Sequence, residues 1–222
     1  MKQEFQDIVR YHINRFIYDQ GFAPDVSELS DLTGKDNQEV EGALEDLVRN
    51  HALVLHPNNH KIWIAHPFSL MPTAFWVESK HQGWYSNCTW CSLGVASLVD
   101  GGNVTIYTKL NGTKDGLAIH IEDGKIVEDH LLVHFLIPPV NFWDNVIYTC
   151  SNMLPFDSEE AIDNWCKSQN VTKNEVQPIN RVWELAKEWY GYYLSPDWKR
   201  KTPEEARAIF DKVGLTGSFW QI

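Results

Sequence analysis

Apolar residues recur every three to four positions along the first fifty residues and then alternate with polar ones, which predicts helices followed by short strands. The predicted helices cover residues 5–18, 27–32 and 38–50, and the predicted strands cover residues 53–56 and 61–65. Gly21 and Gly34 end the first two helices, and Asn58 and Asn59 form the turn between the strands. Three helices followed by a hairpin are typical of a winged helix, and we assign residues 1–70 to such a domain.

Beyond residue 70 the pattern changes to a β-rich block followed by helices. A run of small and apolar residues predicts a buried helix over residues 92–99, and its start lies at Cys91. Strands are predicted at residues 75–77, 104–108, 117–121, 125–127, 130–137 and 146–150, and helices begin at Asp157, Arg181 and Thr202. The sequence thus predicts a second, α+β domain over residues 71–222, with a mainly antiparallel sheet and C-terminal helices.

A winged helix commonly binds DNA by placing its third helix in the major groove. Here that helix carries Glu39, Glu41, Glu45 and Asp46 against Arg49, and the whole chain has a net charge of −11. Such a face repels phosphate. We therefore expect a structural or protein-contact role for this domain and no nucleic-acid partner.

Compartment and membrane contact follow from the distribution of apolar residues. No uninterrupted apolar run reaches the ~18–20 residues that a membrane-spanning helix needs. The first residues lack the apolar stretch of a secretory signal and include acidic side chains. We expect a cytoplasmic protein without a membrane partner, in which cysteines stay reduced and serve as metal ligands, nucleophiles or core residues.

The four cysteines differ in their surroundings. Cys91 lies where the buried helix begins, a position that favours a thiolate. With Cys88 it forms a C-x-x-C pair, which occurs in redox proteins and in zinc sites. The order of elements is not thioredoxin-like and the chain has no second pair, but Cys88, Cys91 and Cys150 with His81 leave a zinc site open. Cys166 falls among apolar residues of a helix and is expected to fill the core.

Two segments around these cysteines resemble the alkylmercury (organomercurial) lyase family. Trp90-Cys-Ser-Leu, which leads into the small-residue helix, resembles the first cysteine motif of that family. The stretch from Val146 through Cys150 to Pro155-Phe-Asp-Ser-Glu-Glu-Ala resembles the second. The N-terminal unit also fits the family, in which it does not read DNA. The resemblance covers most of the chain.

The resemblance implies protonolysis of carbon–mercury bonds by a cysteine pair. Cys91 and Cys150 would be both the catalytic and the mercury-binding residues, because mercury is soft and prefers sulfur. The substrate would be an organomercurial, no resident cofactor is expected, and small thiols would carry the mercury away.

One position departs from the family. The family has an aspartate for proton transfer three residues after the first cysteine, and here that residue is Gly94. Asp100 lies ~13 Å further along a helix and Ser92 is too weak an acid, so Cys88 is the candidate auxiliary group. Two alternatives therefore stay open: a non-catalytic thiol binder of soft ions such as mercury or copper, and a metal-responsive winged-helix DNA-binding regulator.

Overall fold

The protein is described by a computed structural model over residues 4–222, so residues 1–3 of the predicted N-terminal domain lie outside the described residues. Three helices come first, in agreement with the sequence pattern. They are α1 (Phe5–Gln20), α2 (Val26–Thr33) and α3 (Asn37–Arg49). Asp25 and Asp36 form complete capping boxes at the starts of α2 and α3. The buried residues of α1 are the apolar Val9, Ile13 and Ile17 and the polar Arg10 and Asn14.

Two antiparallel sheets follow. The larger has the strand order β1-β2-β3-β5-β4-β6-β7-β8 and the smaller the order β10-β9-β11. The strands of the larger sheet are β1 (Val54–Leu55), β2 (Ile62–Ala65), β3 (Phe68–Ser69), β4 (Trp76–Glu78), β5 (Gly83–Ser86), β6 (Val104–Lys109), β7 (Gly116–Glu122) and β8 (Lys125–Ile126). Those of the smaller sheet are β9 (Leu132–Phe135), β10 (Leu154–Phe156) and β11 (Glu175–Pro178).

Five further helices complete the fold. They are α4 (Thr89–Ala96), α5 (Val146–Ser151), α6 (Glu159–Gln169), α7 (Ile179–Tyr190) and α8 (Pro203–Lys212). Every residue of α4 is buried, as its small and apolar composition predicts. The helix packs between the larger sheet and α7. Its N-terminus therefore lies inside the protein, and this position places the cysteines.

The predicted α+β class with a mainly antiparallel sheet and C-terminal helices is confirmed. The division into domains at residues 70 and 71 stays a prediction, as does the winged-helix identity of the first unit. Strand β3, at residues 68–69, pairs with β5, so the larger sheet extends across that position. No helix in residues 4–222 is both long and apolar enough to cross a membrane.

Two local predictions are wrong. Residues 146–150 form helix α5 and not a strand, because the Asn145 side chain caps the segment by accepting the Tyr148 N–H. A short run of β-branched residues fits a strand or a buried helix equally well, and tertiary contacts decide between them. The cap of α6 is Ser158 and not Asp157, since the Ser158 hydroxyl accepts the Ala161 N–H.

The buried side chains form two groups. The larger core runs from α1 through the large sheet to α7 and α8 and includes Cys88, Cys91 and Cys150. The smaller one lies between α6 and the small sheet, and Cys166 belongs to it. The expectation that Cys166 fills a core is confirmed by its 4% exposure.

Candidate active site

Cys88 and Cys91 are held together by the start of α4. Cys88 is the N-cap residue, and its Sγ accepts the backbone N–H of Cys91 at 3.3 Å. Cys91 is in the first turn, near the partial positive charge of the helix N-terminus. Its side chain is 1% exposed. The predicted position of Cys91 at the beginning of a buried helix is therefore correct.

Cys150 reaches the same place from α5. Its Sγ lies 3.7 Å from Nε2 of His66, which follows β2. The two sulfurs of Cys91 and Cys150 and a ring nitrogen of His66 all lie within 4.8 Å of one another. A metal–sulfur bond of about 2.3 Å is usual for thiolates, so one soft ion can contact both sulfurs. The structure brings together the two cysteines that the sequence singles out.

The three thiols differ in the direction in which their surroundings shift the pKa. Burial alone raises the pKa of Cys91, but hydrogen bonds with Cys150 and Cys88, the nearby His66 and the Tyr190 hydroxyl outweigh it, so that this pKa is well below its ordinary value. Burial and hydrogen bonds with the other two thiols raise the pKa of Cys88. For Cys150, the hydrogen bond with Cys88 favours ionisation, but the bond to the Cys91 sulfur and burial raise its pKa overall. Cys91 is therefore the thiol of the cluster that ionises most readily.

His66 is a neutral neighbour of this cluster. Burial lowers its pKa, and Arg10 adds a smaller repulsion that partly offsets the attraction of Cys91. The Trp143 ring meets the imidazole edge-on with centroids 5.4 Å apart. The Nδ1 atom is closed to solvent and has no hydrogen-bond partner among the described residues. A neutral imidazole beside Cys150 can accept a proton or ligate a metal.

Gly94, three residues after Cys91 in α4, is covered by Tyr190. A Cβ atom on Gly94 would lie 2.4 Å from Cδ2 of Tyr190, closer than atoms can approach without a shift. The Tyr190 hydroxyl lies 3.8 Å from Sγ of Cys91. The ring of Tyr190 thus fills the space into which a side chain at position 94 would extend, and it brings its own polar group to the thiolate.

A cavity of about 810 Å³ opens onto the three thiols. Its walls come from α1, α4, α5, α7 and the chain that follows α7. Aromatic rings dominate the lining; they are those of Trp90, Phe142, Trp143, Trp189, Tyr190, Tyr193, Trp198 and Phe210. A mostly apolar cavity that ends on a few polar groups is the usual form of a small-molecule site.

Sequence reasoning named the wrong histidine and missed the tyrosine. His81 is exposed and forms no part of the cluster, so the zinc site that was left open with His81 as its fourth ligand does not form in the described residues. His66 takes its place beside the thiols, and nothing in its sequence neighbourhood distinguishes it from the other histidines. Tyr190 looked like one more aromatic residue of an amphipathic helix. Only its packing against Gly94 reveals it.

The sequence pattern that describes the alkylmercury lyase family, MerB, matches residues 68–191, more than half of the 222-residue chain. Among solved structures, the fold is similar to that in the crystal structure of the mercury-bound form of MerB2. The TM-score is 0.70 at 18% identity, over 87% of this chain and 94% of that one. A search among curated proteins finds no match. This chain belongs to the alkylmercury lyase family, whose reaction is the cleavage of carbon–mercury bonds.

Proposed function

We propose that this protein protonates the carbon of an organomercurial, R–Hg⁺, while Cys91 and Cys150 take up the mercury. The observation that carries the assignment is the pair of sulfurs that one ion can bridge, placed at the end of an apolar cavity. Mercury, a soft ion, selects such a pair over the nitrogen and oxygen donors of the chain. The aromatic walls accept the organic group.

Cys91 acts first in this mechanism. Its thiolate attacks the mercury, because it is the one thiol of the cluster whose pKa is lowered. The helix N-terminus and the hydrogen bonds from Cys88, Cys150 and Tyr190 stabilise that charge without any rearrangement at the moment of attack. The product of this step is the neutral adduct R–Hg–S of Cys91.

Cys150 supplies the second sulfur and the proton. Its thiol is held in the protonated form and gives its hydrogen to the carbon as its sulfur bonds to mercury. The step balances: one thiolate, one thiol and R–Hg⁺ give R–H and a neutral S–Hg–S bridge. His66, 3.7 Å from this sulfur, can carry the proton between sulfur and carbon.

In this proposal, Tyr190 and Cys88 take the place of the family's aspartate beside the Cys91 sulfur. Within residues 4–222, Asp144 is the one acidic side chain that lines the cavity, and it makes a hydrogen bond with Asn141 at the surface. A carboxylate at position 94 has no room beside Tyr190. We assign Tyr190 to position the Cys91 thiolate, and Cys88 to hold a spare proton as an auxiliary thiol.

Release of the product needs external thiols. The S–Hg–S bridge is neutral and buried, and an incoming small thiolate removes the ion by ligand exchange. A cytoplasmic location, where such thiols are abundant, belongs to this proposal. So does the absence of a resident cofactor, because the two cysteines provide both the ligands and the proton.

A second candidate function is a soft-metal binder without lyase activity, and Gly94 favours it. A positioned general acid contributes about 10²–10⁴ in rate, and position 94 has no carboxyl group to act as one. In that case Cys91 and Cys150 would take up Hg²⁺ or Cu⁺ without breaking a carbon–metal bond. The third alternative, a DNA-binding regulator, is disfavoured by the exposed Glu39, Glu41 and Glu45 on α3.

The test is benzene release from phenylmercury in the presence of excess small thiol, measured by gas chromatography. Turnover above the thiol blank is expected for the native chain. A Cys150→Ser variant should bind one phenylmercury on Cys91, seen as a mass increase of the intact protein, but release little benzene. Native protein that binds the metal stoichiometrically and releases no benzene would establish the non-catalytic binder instead.

A further inference from the structure

The cavity carries positive charge in an acidic protein. The chain has 30 acidic and 19 basic side chains. Yet the lining of the cavity includes Arg10, Arg200 and Lys201 against a single acidic side chain among the described residues, that of Asp144. Acidic side chains are kept away from this wall although they are the commoner kind. The bias indicates a ligand with negative charge.

Arg10 is the most deeply enclosed of these cations. Its side chain lies in the corner between two aromatic rings, with Cζ 4.1 Å from the centroid of Tyr193 and 3.6 Å from that of Trp198. The residue is 3% exposed, and its Nη1 has no hydrogen-bond partner among the described residues. Asp7, one turn earlier on α1, raises the pKa of Arg10 less than burial lowers it, and no ion pair joins the two in the described chain.

Arg10 also has a hydrogen bond with the Tyr193 side chain, but neither this bond nor the cation–π contacts give Nη1 an acceptor. A buried charged donor without an acceptor is costly, so such groups are normally paired. Asp144, the one acidic side chain of the described lining, already accepts a hydrogen bond from Asn141. The missing acceptor is best supplied by a molecule that enters the cavity.

Lys201 stands beside Arg10 and adds a second cation. Its Nζ donates to the Trp189 carbonyl at 2.7 Å and lies 5.0 Å from the centroid of Tyr193. Burial and then repulsion by Arg10 lower the pKa of Lys201 to about 8. The two cations therefore share the Tyr193 ring and repel each other, and an anion between them would relieve both.

We propose that Arg10 and Lys201 form a subsite for the carboxylate of a small molecule that enters the thiol cavity. Tyr193 contacts Tyr190 with centroids 4.9 Å apart, and the Tyr190 hydroxyl touches Cys91. The subsite thus lies two aromatic rings away from the Cys91 sulfur, a distance that one small ligand can span. The carboxylate belongs either to the organic group of the organomercurial or to the thiol that removes the mercury, and this choice rests on the proposed function.

The binding test needs no mercury. Benzoate is titrated into the native protein while tryptophan fluorescence is recorded, with benzyl alcohol as the uncharged counterpart. We expect benzoate to bind more tightly than benzyl alcohol, and Lys201→Met to weaken benzoate about tenfold, the size of one charge-assisted hydrogen bond. Lys212→Met, which removes a surface lysine paired with Glu188, is the matched control and should change neither.

Because Arg10→Met risks misfolding, its circular dichroism and melting curve are checked first, and Lys201→Met carries the decision if it unfolds. Equal binding of benzoate and benzyl alcohol, or benzoate binding that Lys201→Met leaves unchanged, would overturn the subsite. Neither result depends on carbon–mercury cleavage, so the subsite and the proposed function fail independently.

Two kinetic comparisons identify the source of the carboxylate. One compares kcat/KM for 4-carboxyphenylmercury with that for phenylmercury. The other compares mercury removal by glutathione with removal by 2-mercaptoethanol at equal thiolate concentration. If Lys201→Met abolishes a preference in the first comparison, the carboxylate belongs to the substrate. If it abolishes a preference in the second, the carboxylate belongs to the acceptor thiol. If neither comparison shows a preference, both assignments of the carboxylate are wrong, and the benzoate titration alone decides whether the subsite exists.

Discussion

Two buried clusters in this protein each contain a cysteine, a histidine and a tryptophan, but only one of them has the features of a reaction centre. In the first, Cys150 lies beside His66, whose ring meets Trp143 at 5.4 Å. In the second core, Cys166 belongs to the same cluster as Trp165, whose ring meets that of His134 with centroids 5.5 Å apart. In both clusters, burial lowers the pKa of the histidine.

The two clusters differ in the groups that surround the thiol. Cys150 faces two further thiols at a helix N-terminus and a cavity that admits a ligand. Cys166 is in the last turn of α6, and burial and Asp163 raise its pKa more than Lys173 lowers it. It is the one cysteine of its cluster among the described residues. A buried cysteine with a histidine and a tryptophan nearby is therefore not a site. Convergence of several sulfurs on an open space makes one.

Removing one sulfur from each cluster gives the largest contrast. Cys91→Ala should lower kcat/KM for phenylmercury by more than about 10³-fold, as expected when a catalytic nucleophile is lost. Cys166→Ala is the matched control and should keep the rate per folded molecule while lowering the melting temperature. Comparable losses in the two variants would erase the distinction between the clusters.

The second core should dominate the acid sensitivity of the fold. Burial, and to a lesser extent Lys173, lower the pKa of His134 from 6.5 to about 4. Between these two pH values, His134 binds a proton in the unfolded chain but not in the folded chain. The free energy of unfolding therefore falls as the pH drops from 6.5 to about 4. The slope from this one group is at most about 1.4 kcal/mol per pH unit.

Urea titrations across that pH range measure this slope. His134→Gln keeps an acceptor for the Asn174 N–H, which His134 accepts at Nε2, but cannot titrate. Its unfolding free energy should depend less on pH than that of the native chain. If the two chains show the same slope, the buried imidazole of the second core has no part in acid unfolding.

Tyr190→Phe should have a smaller effect that is specific to the first cluster. Loss of the hydroxyl removes a donor to the Cys91 sulfur, so the pKa of Cys91 should rise. A hydrogen bond of about 0.5–1.5 kcal/mol corresponds to a few-fold slower alkylation of Cys91 at neutral pH. Rates against pH with iodoacetamide, with the labelled cysteine identified by mass spectrometry, measure the shift.

The control for that measurement is the nearby exposed Tyr192, which is 71% accessible and lies outside the cavity lining. Tyr192→Phe should leave the Cys91 profile unchanged. An unshifted profile for Tyr190→Phe would mean that the helix N-terminus and the other thiols suffice to hold the thiolate.

The sequence predicts those parts of the site that depend on local signals. Gly21 and Gly34 mark the ends of α1 and α2, Thr202 marks the start of α8, and the small-residue run marks α4 and with it the position of Cys91. The family resemblance adds Cys150, although its element is a helix and not the expected strand. Local patterns also separate Cys166 as a core residue.

The remaining parts depend on contacts between distant segments. His66 and Cys150 are 84 positions apart, and Cys91 and Tyr190 are 99 apart. Where α4 crosses α7, the ring of Tyr190 occupies the volume that a side chain at position 94 would need. No periodicity in the chain encodes either pairing. The first appears only when α5 meets the residue that follows β2, and the second only when α4 packs on α7.

The cavity is assembled from two unequal portions of the chain. The three thiols and Tyr190 fall within residues 68–191, the stretch that matches the family. Arg10, Trp198 and Lys201 come from outside it, before and after. The reacting sulfurs and the proposed carboxylate subsite thus come from separate stretches of the polypeptide. Substitutions in α1 or after α7 can change which molecules reach the sulfurs while the sulfurs stay where they are, an arrangement open to retuning by directed evolution.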